Sequence, residues 1–213
     1  MARILLIGGG GHCKSILDCI LGAGEYRDIA VIDRHNAGRK AILGIPVIGS
    51  DDDLLSLHDT GWTDAFISLG GIGNSYRREF LYHLLREIGF NIPCIVDETA
   101  SVSDNARLKP GVFVGKKAGV NAGTIIGICA IINSGAIVEH DCNVGAFSHI
   151  SPGAVLCGGV SVGHGTHVGA NSVVRQGIVV GNNSLIGIGS AVTKDIPDNT
   201  EAYGNPCRAV KAV

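Results

Sequence analysis

Residues 102–125, broken every six, read VSDNAR, LKPGVF, VGKKAG and VNAGTI. Each row opens on an aliphatic residue and carries a restricted fifth position. The rule runs without a miss to Pro197. Its first position holds Val102, Leu108, Val114, Val120, Ile126, Ile132, Val138, Val144, Ile150, Leu156, Val162, Val168, Val174, Val180, Ile186 and Val192. Its fifth position, from Ala106 to Ile196, is Ala, Ser, Thr, Cys, Val or Ile. A helix would repeat every 3.6 residues and a simple strand every two. A period of six, with one aliphatic and one small residue per row, means short strands separated by corners. That is the signature of a parallel β-helix. If three rows make one coil, residues eighteen apart stack, and the run rises about 25 Å at the ~4.8 Å spacing of paired strands.

The composition agrees. The chain has 213 residues, 46% of them hydrophobic but only 5% aromatic, and 32 glycines. Aliphatic columns with glycine corners fit that balance better than an aromatic globular core. The net charge of −2 gives no broad footprint for nucleic acid. No run of 18 apolar residues suggests a membrane span. The first residues enter a strand, Arg3 to Ile7, and lead to glycines rather than a cleavage site, which predicts no signal peptide. Seven cysteines, odd in number and without a CxxC pair, suit a reduced cytoplasmic protein. Cys142 occupies the small-residue column and reads as core filler.

Before about residue 100 the grammar differs. Strands are expected at Ile4–Ile7, Ile29–Asp33, Ala65–Gly70 and Ile92–Val96. Helices are expected over Ser15–Leu21, Leu54–His58 (capped by Ser50 or Asp51) and Ser75–Ile88. Alternating strands and helices imply a small parallel α/β sheet. Gly8 to Gly11 make a tight turn between the first strand and helix, a geometry that cradles phosphate. Asp33 ends the second strand, where a dinucleotide fold keeps its ribose carboxylate. Gly8-x-Gly10-x-x-Cys13 lacks the third glycine of that motif, and a purely structural turn is the plain alternative.

In the solenoid, His140 lies near a corner between Glu139 and Asp141. Gly158 is eighteen residues on and sits above it; His167 likewise stacks over His149. A histidine flanked by carboxylates suits a general base, because the acid fixes the tautomer and stabilises the imidazolium. Successive strand residues point oppositely, so Glu139 and Asp141 cannot both flank the ring unless the corner twists. Which one partners it stays open. His164 and His167 read as surface or subunit-interface residues. Exposed backbone N–H groups around Cys157, Gly158 and Gly159 could bind an oxyanion.

With these residues in view, the chain resembles the bacterial sugar acyltransferases grouped with sialic acid O-acetyltransferases, which include nucleotide-4-amino-sugar N-acetyltransferases. The resemblance rests on residues 6–14, the strand end Val31-Ile32-Asp33, residues 138–142, residues 148–153 and the tail Tyr203-Gly204-Asn205-Pro206. It implies a Rossmann-like α/β domain over residues 1–100 that binds a nucleotide sugar. A left-handed β-helix acyltransferase domain with a C-terminal tail follows over 101–213. It implies a homotrimer with acetyl-CoA as co-substrate between adjacent solenoids, and no metal. His140 becomes the general base and Asp141 its partner. His149 lies near the thioester, and Gly158 donates to the oxyanion. Gly8, Gly10, His12, Lys14 and Asp33 line the nucleotide-sugar site. Asn133 and Glu139 are further candidates. Cys13 departs from the glycine often found in that loop.

The expected reaction is acetyl transfer from acetyl-CoA to the amine of a nucleotide-linked 4-amino-deoxysugar. O-acetylation of sialic acid would use the same base. A zinc hydratase on such a solenoid needs three converging histidines, and His164 and His167 have the wrong spacing. A non-catalytic scaffold is the third class. Lys194, Arg208 and Lys211 are candidates for the coenzyme's phosphates.

Overall fold

The computed structural model describes residues 2–34 and 41–212. The chain divides into two compact units: residues 1–70 with 76–95, and residues 71–75 with 96–213.

The first unit is an α/β sheet. Its strands are β1 (Arg3–Ile7), β2 (Asp28–Ile32), β3 (Ala41–Ile42), β4 (Ile45–Gly49) and β5 (Asp64–Ile67), in the order β3-β4-β2-β1-β5. All neighbours are parallel except the β3–β4 hairpin. Both faces of β1 are covered, which is why it reads as an unbroken apolar run: Ile4, Leu5 and Leu6 are fully buried. Helices α1 (Gly11–Ala23), α2 (Leu54–Asp59) and α3 (Tyr76–Ile88) connect the strands. Ser50 and Asp53 form a capping box on the 3₁₀ turn Asp51–Asp53 that leads into α2; the N-cap of α2 itself is Asp53, which makes no side-chain cap bond, and not the Ser50 or Asp51 expected. The strand expected at Ile92–Val96 does not join this sheet. Asn91 bridges Asp64, and Ile95–Val96 instead opens a sheet of the solenoid. A short apolar run does not disclose its pairing partner, which is why sequence pattern alone put it in the wrong sheet.

The second unit is a left-handed parallel β-helix. Two-residue strands recur every six residues and fall on three sheets. One carries Ile137–Val138, the next Asn143–Val144 and the third His149–Ile150. Through Val192 each strand pairs with the one eighteen residues on, for example Ile131 with His149 and His149 with His167, while in the last coil Leu185 faces Glu201, sixteen on. From Val114 to Val192 the aliphatic column is no more than 2% exposed. Val102 and Leu108 are half-buried, because the first coil has no coil beneath it. The third sheet ends in a hairpin, Thr200–Gly204 with Cys207–Ala212.

The small column contains buried hydroxyls, and each needs an acceptor. Ser148 Oγ donates to Gly163 O at 2.6 Å, Thr166 Oγ1 to Gly181 O at 2.6 Å, and Ser172 Oγ to Gly187 O at 2.9 Å. In these three the carbonyl lies fifteen residues on, so the hydroxyls tie each coil to the next. Some corners leave no room for a side chain. A Cβ on Gly145 would lie 2.5 Å from His164 N.

Ile150→Ala should lower stability by about 3 kcal/mol through the cavity it leaves. Ile125→Ala, on the outer face, should change it by less than about 0.5 kcal/mol. Urea unfolding checks both, and equal effects would contradict the assigned register.

Candidate functional site

His140 and Asp141 occupy the corner between the first and second sheets. Asp141 has φ +60°, the left-handed conformation, and this turns the backbone between two residues that a strand would point apart. His140 Nδ1 lies 2.8 Å from Asp141 Oδ2. A carboxylate accepts, so Nδ1 carries the proton and Nε2 keeps its lone pair. Glu139 is turned elsewhere and accepts from Asn121 Nδ2 at 2.9 Å. The acid beside the ring is therefore Asp141. Both side chains are exposed, at 60% and 73%.

Two glycines make room for the pair. A Cβ on Gly158, in the coil above, would lie 2.6 Å from His140 Nε2. A Cβ on Gly123, in the coil below, would lie 2.5 Å from Asp141 Oδ1. Gly158 was legible as the residue eighteen after His140. Gly123 is eighteen before Asp141, and the same arithmetic would have found it. The backbone around Gly158 also matters. Cys157 N–H donates to Val174 O and Gly159 N–H to His140 O, which leaves the Gly158 N–H outside the ladder.

Asn133 and His149 form a second cluster where the third sheet turns toward the first. Asn133 Nδ2 is 3.1 Å from His149 Nε2, and His149 Nδ1 is 3.0 Å from Gly71 O. His149 is 9% exposed. His167 stacks edge-on against it at 4.9 Å and meets Ser151 Oγ at 3.1 Å. His167 is 7% exposed, buried within the chain where a surface or subunit-interface residue was expected.

In the α/β unit the glycine turn is built differently from the motif. Gly8 has φ +105°, and a Cβ there would overlap Leu69. Gly9, not Gly10, is the second tight position: a Cβ would lie 2.6 Å from both Asp33 Oδ2 and Ile42 Cδ1, whereas Gly10 has open space. Gly9 N–H donates to Asp33 Oδ2 at 2.7 Å, so the carboxylate at the end of β2 clamps the turn. Gly10, in an extended conformation, is the N-cap of α1. Cys13 is fully buried, so a small apolar side chain serves where glycine was expected.

Beside this turn lies a cavity of about 290 Å³ lined by Gly8, Asp33, Arg34, Asp51 and Arg77, among others. Arg77 and Asp51 form an ion pair across it. Of the residues read from the motif, Gly8 and Asp33 line the cavity. Gly10, His12 and Lys14 lie at the start of α1, outside its lining. Arg34, Asp51 and Arg77 were missed; nothing in their local sequence marks them, and only the sheet order brings them together.

His12 packs against Gly70 with Nε2 shielded from solvent. Burial, helped by the Arg78 charge, lowers its pKa to about 4. It is neutral at pH 7 and can bind a phosphate only as a hydrogen-bond donor, not as a cation. Near the C-terminal hairpin, Lys211 is engaged by Glu201 at 2.9 Å. Among the described residues no three His, Cys, Asp or Glu side chains converge as metal ligands, and no helix is long and apolar enough to cross a membrane.

The PglD N-terminal domain family matches residues 3–85. Among solved structures, PerB from Caulobacter crescentus in complex with CoA and GDP-perosamine has 35% sequence identity and a TM-score of 0.92, over 99% of this chain and 98% of that one. The acetyltransferase domain of PglB from Neisseria gonorrhoeae, in complex with acetyl coenzyme A, has 33% identity and a TM-score of 0.92, over 98% of each chain. WeeI from Acinetobacter baumannii, at 23% identity and a TM-score of 0.81, shares the fold over 99% of this chain and 100% of that one.

His12 generates a prediction about pH. Its folded pKa lies below the unfolded value of 6.5, so between about pH 6.5 and 4 the unfolded chain binds the proton and the folded chain does not. Stability should therefore fall as pH drops through that window, by up to about 3 kcal/mol from this residue. Unfolding free energies of the wild type and His12→Gln, measured across the window, should diverge in slope by up to one proton. Parallel slopes would show that His12 titrates normally in the folded chain.

Proposed function

The chain belongs to the hexapeptide-repeat sugar acetyltransferases, and from that membership we propose that it transfers the acetyl group of acetyl-CoA to the amine of a nucleotide-linked 4-amino-deoxysugar. The observation that carries the reading is the His140–Asp141 pair at 2.8 Å, bracketed by Gly123 and Gly158. A structural neighbour of near-complete coverage that holds CoA with a GDP-linked amino sugar supports it.

The amine attacks the thioester carbonyl carbon. As the C–N bond forms, His140 Nε2 takes the amine's proton. Asp141 keeps the ring in the Nδ1–H tautomer and offsets the imidazolium charge. The Gly158 N–H, not engaged in the ladder, donates to the oxyanion of the tetrahedral intermediate. Collapse of that intermediate breaks the C–S bond and releases CoA, whose thiolate regains the proton. Both substrates meet in one cleft, so no residue of the protein is acylated. Cys142 fits this: burial raises its thiol pKa and its side chain faces the core.

In this reading His149 and Gly158 serve acetyl-CoA, and Gly8, Gly10, His12, Lys14 and Asp33 serve the nucleotide sugar. The α/β domain (residues 1–100) binds the sugar nucleotide and the β-helix (101–213) carries the transfer. Lys194, which follows the last strand of the first sheet (Ala191–Val192), is a candidate for the coenzyme's phosphates. A cytoplasmic homotrimer, with acetyl-CoA between adjacent solenoids, completes the proposal.

The test is a free-thiol assay with acetyl-CoA and a panel of uridine- and guanosine-linked 4-amino sugars, plus free sialic acid, with mass spectrometry of the products. Thiol release with one acetyl group added to an amino sugar supports the reading. Release with sialic acid alone would move it to O-acetylation. In the active combination, His140→Ala should lower kcat by roughly 10²–10⁴-fold without loss of fold. Near-wild-type turnover would remove His140 from its role.

A further inference from the structure

Two backbone groups of fixed polarity bracket the Asn133–His149 pair. At one end Ser134 N–H, 2.8 Å from Asn133 Oδ1, can only donate. At the other end Gly71 C=O, 3.0 Å from His149 Nδ1, can only accept. Between them Asn133 Nδ2 and His149 Nε2 lie 3.1 Å apart. The orientations of both side chains follow from the two ends. The Asn133 oxygen must face Ser134, so its nitrogen faces the imidazole. The imidazole must carry its proton on Nδ1 to reach Gly71, so Nε2 keeps the lone pair that Asn133 needs. All three bonds then run one way, from Ser134 through Asn133 and His149 to Gly71. Reversing either side chain would set two donors or two acceptors against each other.

We infer that this polarised relay makes Asn133 a donor-only group that presents its second amide hydrogen to an acceptor oxygen of a substrate. An amide nitrogen carries two hydrogens, and His149 takes one. The carbonyl of the same amide is turned to its own backbone. The surface at this corner therefore meets an N–H, strengthened by the bonds behind it. His149 acts through Asn133 and is a positioning residue, with both ring nitrogens engaged. His167, edge-on at 4.9 Å, backs the ring, and Ser151 holds His167 in turn. The 71–75 segment thus contributes through its backbone, because one of its carbonyls sets the tautomer of a histidine whose own neighbour meets the substrate. Only the identity of the acceptor oxygen, on the thioester or on the sugar, rests on the proposed reaction.

The relay is tested without turnover by nitrogen NMR of the full chain labelled at histidine. The resonances lost in His149→Gln should be those of a neutral ring protonated at Nδ1 with a bare Nε2. A ring protonated at Nε2, or charged at pH 7, overturns the relay. His149→Asn provides a second assignment if the Gln variant does not fold. The two variants also divide the function of the ring. Gln reaches the Nε2 position and can still accept from Asn133, whereas Asn reaches only the Nδ1 position. The Gln variant should keep about tenfold more kcat/KM than the Asn variant, the value of one retained hydrogen bond. Equal losses overturn the positioning role. Asn133→Asp keeps the shape and removes the N–H; turnover should fall by about 10²-fold, and wild-type activity there overturns the donor role. A rise in the acetyl-CoA KM would assign the oxygen to the thioester, and a rise in the nucleotide-sugar KM would assign it to the sugar. If no acceptor sugar is ever turned over, the NMR result still decides the relay by itself.

Discussion

The structure depends on one constraint: each coil must lie on the coil below at the spacing of paired strands. Backbone N–H and C=O groups of one coil pair with those of the neighbouring coils, apart from the bonds that close the corner turns. That fixes the eighteen-residue register, and the register then governs every side chain. A bulky residue facing inward in one coil needs a bulky residue above it, which is why the aliphatic column runs without a gap. At some corners a residue occupies the space over the corner below, as Asp141 does over Gly123, and there only glycine fits. Stability and site geometry therefore come from the same repeat.

The His140–Asp141 corner departs little from the rest of the solenoid. Elsewhere in the solenoid an Asn in the left-handed conformation folds its side chain over a glycine one coil below. Asn171 lies over Gly153 and Asn183 over Gly165, each close enough to fill the place of a Cβ. Asp141 over Gly123 is the same device with a carboxylate in place of the amide. Asn and Asp both tolerate positive φ because their short polar side chains bond locally. Asp141 therefore holds its orientation for architectural reasons, before any substrate arrives. That orientation is what the proposed general base would require of its partner.

The same logic explains what could be read from sequence. Stacking arithmetic alone put Gly158 over His140 and His167 over His149. It could not choose between Glu139 and Asp141, because the choice depends on a backbone angle at the corner. In the glycine turn, Gly10 drew attention as part of a motif, while the position that leaves no room is Gly9, pressed by Asp33 and Ile42. Motif spacing records an average geometry, and the close approach belongs to this chain's own packing. Ile92–Val96 was legible as a strand run but not as to its sheet. Gly71 was invisible, since a backbone carbonyl has no letter in the sequence, and only the path of the chain brings it to His149.

The two histidine sites divide the work by their lone pairs. An imidazole has two nitrogens, and a general base must keep one of them unshared at the reacting atom. His140 gives Nδ1–H to Asp141 and leaves Nε2 facing outward over a glycine. His149 gives Nδ1–H to Gly71 and accepts from Asn133 at Nε2, so it has no lone pair left to take a substrate's proton. The tautomer is the same in both rings, and both owe it to an acceptor at Nδ1. What differs is the group opposite Nε2: a glycine with no side chain at His140, an amide at His149. Burial follows that difference: the ring bonded at both ends is enclosed, and the ring bonded at one end is exposed.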